Sequence, residues 1–210
     1  MDDLNKIKKI YDLSYKKYDK IVDKYWHFNR NLILKYLKKN KKIIELGIGT
    51  GLNIPFYPTG SKITGIDLSK EMLKKAEIKA LKRKDIKLSI ILGSISNLIK
   101  RIKINQFDYA ILTWYLSVTP KLKEDITQLK RVTTDKILIV DHSKNNPNFI
   151  QKVLGKLTYL ISHYNPYIDL EQIFKENQFK IKKIYLGKFG RFIKNDTFLF
   201  ILTPFKIKSK

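Results

Sequence analysis

The chain has 210 residues, is 43% hydrophobic and 12% aromatic, and carries a formal net charge of +24. The length and apolar content are typical of one globular domain with a full core, and they exclude an intrinsically disordered chain. The absence of cysteine excludes disulfides, thiolate metal ligands and cysteine nucleophiles, and three scattered histidines do not favour a metal centre.

The N-terminal segment is rich in lysine and tyrosine. Apolar and tyrosine side chains recur every three or four residues over 4–38, which predicts an amphipathic helix that could divide at Ser14. We assign residues 1–38 to a helical segment that either closes over a ligand or docks on an anionic membrane. Residues 39–210 form the main domain in this division.

Short apolar strands alternate with helices through most of the remaining chain. The predicted strands are 42–47, 62–67, 86–92, 106–113, 135–141, 179–187 and 195–203. The predicted helices are 69–84, 121–133, 149–163 and 169–176. This alternation predicts an α/β protein with a doubly wound, seven-stranded, mostly parallel sheet, whose last two strands pair with each other.

A glycine-rich loop follows the first predicted strand, where residues 45–51 read Glu-Leu-Gly-Ile-Gly-Thr-Gly. Leu52 stands where a dinucleotide fingerprint needs its third glycine, and no Gly-Lys-Ser/Thr follows as in a P-loop. Glycines let a ligand approach the backbone, and Glu45 suits a positively charged group on that ligand. Asp67, at the end of the second strand, can accept hydrogen bonds from a ribose diol.

This pattern resembles the class I S-adenosylmethionine (SAM)-dependent methyltransferases, which have a Rossmann-like fold. The resemblance implies SAM as cofactor and S-adenosylhomocysteine as product. Ser94 departs from the family, which usually has an acidic residue near the adenine amino group. The implied cofactor-binding residues are Glu45, Gly47, Gly49, Thr50, Gly51, Asn53, Asp67, Leu68, Met72, Gly93, Ser94, Ile95 and Thr113.

Several short segments resemble a narrower group, the bacterial phosphatidylethanolamine N-methyltransferases. They are Tyr18-Asp19 and residues 45–58, 64–69, 72–73 and 140–142. The Leu-Asn-x-Pro-x-Tyr-Pro part of 52–58 is shared with related small-molecule and thiol methyltransferases. The acceptor therefore stays open between the amine of a phospholipid and a small soluble N, S or O acceptor.

The remaining candidates lie on the acceptor side. Residues 113–115 do not form the Asn/Asp-Pro-Pro-Tyr motif, which argues against methylation of adenine N6. His142 ends the fifth strand on the ligand side of the sheet, and an imidazole titrates near neutral pH. Ordinary packing remains the alternative for each candidate. We predict Tyr18, Tyr115 and His142 as catalytic residues and Tyr11, Tyr15 and Trp114 as acceptor-binding residues.

The net charge of +24 has two interpretations. It could attract nucleic acid or anionic lipid, or it could reflect the lysine-rich composition of proteins from AT-rich genomes. Because no nucleic-acid-binding motif is present, an RNA-binding or non-catalytic SAM-binding protein is the least favoured function. No protein partner is implied. Without a signal-peptide h-region or a long apolar stretch, we expect a cytoplasmic protein, peripheral at the inner membrane face if its acceptor is a lipid.

Overall fold

The computed structural model describes residues 3–25, 27–98, 102–144, 147–165, 167–189 and 195–204. Its helices are α1 (Asp3–Ser14), α2 (Tyr18–Tyr25), α3 (Asn31–Leu34), α4 (Lys70–Leu81), α5 (Ile95–Leu98), α6 (Leu122–Val132), α7 (Phe149–Ser162) and α8 (Leu170–Glu176). Its strands are β1 (Lys42–Leu46), β2 (Lys62–Asp67), β3 (Lys87–Leu92), β4 (Phe107–Thr113), β5 (Thr133–His142), β6 (Phe179–Phe189) and β7 (Asn195–Pro204). A single 3₁₀ turn spans Ile54–Phe56.

The seven strands form one sheet in the order β3-β2-β1-β4-β5-β7-β6. The neighbours from β3 through β5 pair in parallel, and β7 is antiparallel to both β5 and β6. The predicted doubly wound, mostly parallel sheet is therefore confirmed. Because the strand order reverses between β1 and β4, a crevice opens there at the carboxyl edge of the sheet.

Helices cover both faces of the sheet, which explains why the central strands are apolar without alternation. On one face Leu73 of α4 belongs to a buried cluster with Ile43 and Ile111. On the other face Ile126 of α6 and Phe174 of α8 belong to a second buried cluster. The central strands β1 and β4 contribute side chains to both clusters, so their carboxyl ends are held firmly at the crevice.

The N-terminal segment differs in part from the helical stretch predicted for residues 4–38. The division expected at Ser14 is present, but α2 ends at Tyr25, and only the short α3 follows. In the intervening loop the Oδ1 atom of Asn29 accepts a hydrogen bond from the N–H of Asn31 at 3.0 Å. Such local side-chain hydrogen bonds compete with helical ones, and apolar periodicity alone does not reveal them.

Substitution of Gly51 by alanine should destabilise the fold by about 2–4 kcal/mol. Gly51 has φ +76°, and an added Cβ would contact Ile54 and lie 3.0 Å from the Cα of Ala76 in α4. Gly49 is the matched control, because its φ is +55° but a Cβ there would find no atom closer than 3.9 Å. Gly49→Ala should cost only about 1–2 kcal/mol.

Urea unfolding of the two alanine variants measures this difference. Equal losses of unfolding free energy would show that backbone conformation alone requires glycine at position 51, and would contradict the packing explanation.

Candidate active site

A cavity of about 660 Å³ lies at the carboxyl edge of the sheet, where the strand order reverses. The ends of β1, β2 and β4 and the loop after β3 form its base. The predicted cofactor-binding residues that line it are Gly47, Gly49, Asp67, Leu68, Gly93, Ser94 and Thr113. Predicted residues from four separate chain segments therefore meet in one cavity.

Asp67 links the glycine loop to the end of β2. Its Oδ2 atom accepts a hydrogen bond from the N–H of Gly49 at 2.8 Å, and its Oδ1 atom accepts one from the N–H of Ser69 at 2.9 Å. Burial raises the pKa of Asp67 to about 6, and the backbone hydrogen bonds oppose that rise. Each carboxylate oxygen can accept a further hydrogen bond, so Asp67 fits the diol of a ribose.

A smaller cavity of about 300 Å³ shares the glycine loop with the first. It is lined by the predicted residues Glu45, Thr50 and Asn53, and also by Arg30, which sequence reasoning missed. The Nη1 atom of Arg30 donates a hydrogen bond to Oδ1 of Asn53 at 2.7 Å. A guanidinium at this point suits the carboxylate of an amino-acid moiety. The sequence feature that could have indicated Arg30 is that it is a rare arginine in a lysine-rich segment.

Glu45 is buried beneath the glycine loop. Its Oε1 atom accepts a hydrogen bond from Nδ2 of Asn53 at 2.7 Å, and its Oε2 atom accepts one from the hydroxyl of Tyr57 at 2.6 Å. Burial raises the pKa of Glu45 to about 7 against these hydrogen bonds. The carboxyl group therefore braces the loop as well as facing the smaller cavity.

Five predicted site residues line neither cavity: Gly51, Met72, Ile95, Tyr15 and His142. Met72 and Ile95 are buried in the domain, and the close approach of Gly51 to α4 gives it a packing role. The ring and carbonyl of Tyr15 contact Lys75 instead of the cavity.

The N-terminal helices form the wall that faces the sheet. Leu4, Ile7 and Tyr11 of α1 and Tyr18 of α2 line the larger cavity. The rings of Tyr11 and Tyr18 meet edge to face with their centroids 6.0 Å apart. Part of the apolar stripe of this segment therefore faces the cavity.

Two aspartates hold these helices against the cofactor loops. Oδ1 of Asp12 in α1 accepts a hydrogen bond from the hydroxyl of Ser69 at 2.6 Å. Asp19 in α2 accepts hydrogen bonds from the hydroxyl of Thr50 and from Nζ of Lys79, the latter at 2.9 Å. Because Ser69 also caps α4, movement of α1 is coupled to the loop that carries Asp67.

Trp114 and Tyr115 form the wall after β4. Trp114 has a φ of +57°, a strained conformation for a bulky residue, and its N–H donates to the carbonyl of Val140 at 2.8 Å. The hydroxyl of Tyr115 donates to Oδ2 of Asp125 at 2.9 Å. The ring of Tyr115 packs so close to Gly47 that a Cβ there would lie 2.7 Å from it.

The three predicted catalytic residues have little capacity to accept a proton. His142 is buried behind Trp114, with ring centroids 4.9 Å apart, and its Nδ1 lies 2.8 Å from the hydroxyl of Thr197. Burial lowers the pKa of His142 to about 4, raises that of Tyr18 to about 12, and raises that of Tyr115 well above its usual value. Near neutral pH the imidazole is neutral and both phenols keep their protons.

A family model described as a methyltransferase domain matches residues 37–194. The chain belongs to this methyltransferase family. The combination of the glycine loop, Asp67 and the crevice at the strand reversal fits SAM, which is the cofactor of this methyltransferase. The residues that would hold it are those that line the two cavities.

Solved structures share the fold of this methyltransferase. Magnesium protoporphyrin IX methyltransferase from Synechocystis, determined with bound S-adenosylhomocysteine, has a TM-score of 0.68 at 16% identity, covering 95% of this chain and 99% of that one. A possible histamine N-methyltransferase from Thermotoga maritima has a TM-score of 0.65 at 14% identity, covering 94% and 99%. At these identities the likeness establishes the fold alone.

A curated phosphatidylethanolamine N-methyltransferase from Cereibacter sphaeroides is 29% identical over 105 residues. The match covers 48% of this chain and 50% of the relative, so the chain spans about half the length of the curated relative it matches.

Asp67→Ala should weaken SAM binding about a hundredfold or more while the domain stays folded, because it removes the charged acceptor at the end of β2. Asp108→Ala is the matched control, since Asp108 accepts hydrogen bonds from Lys41 and Lys42 at the opposite end of the sheet. Isothermal titration calorimetry with SAM measures both affinities. An unchanged affinity in Asp67→Ala would overturn the assignment of the cofactor site.

Glu45→Gln should become more stable relative to the parent chain as the pH rises from about 5 to about 8, by on the order of 1–3 kcal/mol. The pKa of Glu45 is raised from 4.5 to about 7 in the folded state. The folded state therefore holds a proton that the unfolded chain has released, and this contribution to stability is lost as the pH rises through that window. Glutamine has no such proton to lose.

Denaturant unfolding at several pH values, without SAM, measures the effect of Glu45→Gln. Glu77→Gln, at an exposed position of α4, supplies the control for replacing a glutamate by glutamine. A pH dependence in Glu45→Gln identical to that of the parent chain would contradict the raised pKa.

Proposed function

We propose that this methyltransferase transfers a methyl group from SAM to the amine of phosphatidylethanolamine at a membrane surface. The observation that carries the proposal is the aromatic wall of the larger cavity, formed by Tyr11, Tyr18, Trp114 and Tyr115. Aromatic faces attract alkylated ammonium groups, which are the products of amine methylation. The partial similarity to a phosphatidylethanolamine N-methyltransferase supports the same acceptor.

The charge inside the cavity also favours an amine. Although the chain has a net charge of +24, no lysine or arginine is among the described residues that line the larger cavity. Its one charged lining side chain in that part of the chain is Asp67. An anionic acceptor would lack a counter-charge at this position, whereas an amine that becomes cationic would be stabilised by the aromatic faces.

SAM supplies a methyl group bonded to a positively charged sulfonium. The acceptor nitrogen must first release a proton, because an ammonium ion has no lone pair. With His142 neutral behind Trp114 and with Tyr18 protonated, the proton passes to water, and the phenol oxygen of Tyr18 orients the free amine. With SAM bound, the nitrogen–carbon bond would form as the bond between the methyl carbon and the sulfonium sulfur breaks, and the electron pair of the broken bond would stay on sulfur.

The protein's contribution to rate is therefore alignment in a site shielded from water. The α1 wall provides this shielding, since Ile7 is only 5% exposed at the cavity. A soluble small-molecule acceptor is the second candidate. The enclosure of the cavity by α1 favours it too, because a wall that shields the cavity serves an acceptor without acyl chains equally well.

Transfer of radiolabelled methyl from SAM distinguishes the two acceptors. We expect label in a lipid that comigrates with methylated phosphatidylethanolamine when vesicles containing that lipid are supplied. Glycerophosphoethanolamine, which has the same headgroup without acyl chains, should accept label at least about tenfold more slowly. The Asp67→Ala variant defines the background that does not depend on bound SAM.

Acceptors other than phosphatidylethanolamine and glycerophosphoethanolamine are tested with two extracts of the same cells. A total lipid extract and a small-metabolite extract are assayed in parallel. Label found only among the water-soluble products would contradict the lipid acceptor and leave the methyltransferase activity in place.

A further inference from the structure

Helix α7 presents apolar side chains to solvent. Of the exposed large apolar residues in the described part of the chain, six lie on this one helix, and their exposed fractions run from 40% for Val153 to 80% for Phe149. We define the apolar face of α7 as Phe149, Ile150, Val153, Leu154, Leu157 and Leu160.

These six side chains share one side of the helix. At about 100° per residue they fall within an arc of about 140°, which is the width of the apolar stripe of an amphipathic helix. Lys152 and Lys156, both exposed, border that arc on one side. A helix that is apolar on one face and bordered by lysine has the pattern of a segment that lies in the plane of a membrane interface.

Further positive charge lies at the same edge of the sheet. Lys144 follows β5, and Lys188 lies near the end of β6, where it pairs with Asp196 of β7. The N–H of Ser143 donates to the carbonyl of Asp196, so both lysines lie at the carboxyl edge from which the chain leads to α7. Both are exposed.

The C-terminal end of α7 leads directly to the cavity wall that follows β4 and includes Trp114, which we call the acceptor wall. The ring of Tyr164 packs against His142 with centroids 5.7 Å apart, and His142 packs against Trp114, which lines both cavities. The N–H of Asn165 donates to the carbonyl of Ser117 at 2.8 Å. A surface that engages α7 is therefore adjacent to the loop that forms the acceptor wall.

We propose that the apolar face of α7 inserts into the interface of an anionic lipid bilayer and so brings the acceptor wall to the membrane surface. Electrostatics favours a bilayer over a second copy of the chain. A symmetric contact would place the lysines of two α7 helices close together on two chains that each carry +24, whereas anionic headgroups complement the same lysines.

The length of α7 supports insertion at the interface. Its 14 residues are too few to span a bilayer, and within the described residues no helix is both long enough and apolar enough to cross a membrane. Helix α1 has two exposed apolar residues, Ile10 and Leu13, neither of which lines the larger cavity. This inference rests on the proposed function for the lipid acceptor, but binding to a membrane is measurable without methyl transfer.

The test is sedimentation of the full chain with vesicles of phosphatidylcholine alone, or of phosphatidylcholine mixed with phosphatidylglycerol, in the absence of SAM. We expect binding to the anionic vesicles that weakens on the order of a hundredfold in the Leu157→Gln/Leu160→Gln double variant, because each leucine contributes about a factor of ten. The matched control is Ile78→Gln/Leu81→Gln in α4, whose side chains are 58% and 79% exposed. This control should bind like the parent chain.

Unchanged binding in the α7 double variant would overturn the inference, as would loss of binding only in an Ile10→Gln/Leu13→Gln variant of α1. Failure of the parent chain to bind anionic vesicles, or a dimer that dissociates in the α7 variant, would overturn it as well. Calorimetric binding of S-adenosylhomocysteine establishes that each variant is folded. Methylation of phosphatidylethanolamine dispersed in detergent tests the acceptor separately, so the lipid acceptor and the docking surface can fail independently.

Discussion

The reversal of strand order between β1 and β4 is the constraint on which the site depends. After β1 the chain continues to β2 on one side, and after β4 it continues to β5 on the other side. The carboxyl ends of β1 and β4 are therefore left without a covering helix, so backbone groups at that edge are free for a ligand. The carboxylate of Asp67 then joins the glycine loop to the start of α4 through Gly49 and Ser69. The glycine loop, which lines both cavities, is positioned from this junction.

The N-terminal helices complete the site from outside the sheet. Asp12 and Asp19 bind loops that also position the cofactor side, and Tyr11 and Tyr18 beside them form part of the aromatic wall. The cofactor loops and the N-terminal helices are thus one hydrogen-bonded unit.

Charge and apolar surface are separated in this molecule. Among the described residues, the larger cavity is lined mainly by aromatic and apolar groups, with the hydroxyls of Ser94 and Thr113 and one carboxylate, while lysines cover the exterior. Such a distribution keeps the reacting centre of low dielectric and suited to a cation, and it leaves the exterior suited to an anionic surface. The apolar face of α7 is bordered by exposed lysines and lies next to the acceptor wall.

The sequence alone determined the seven strands, their mostly parallel arrangement and the glycine loop with Asp67, because apolar runs that alternate with helices and the spacing of loop residues are local patterns. It did not reveal Arg30, the break after Tyr25 or the burial of His142, which depend on contacts between residues far apart in the chain. The same apolar spacing describes a helix that faces a cavity, as α1 does, and one that faces solvent, as α7 does. Only tertiary packing decides which face is covered.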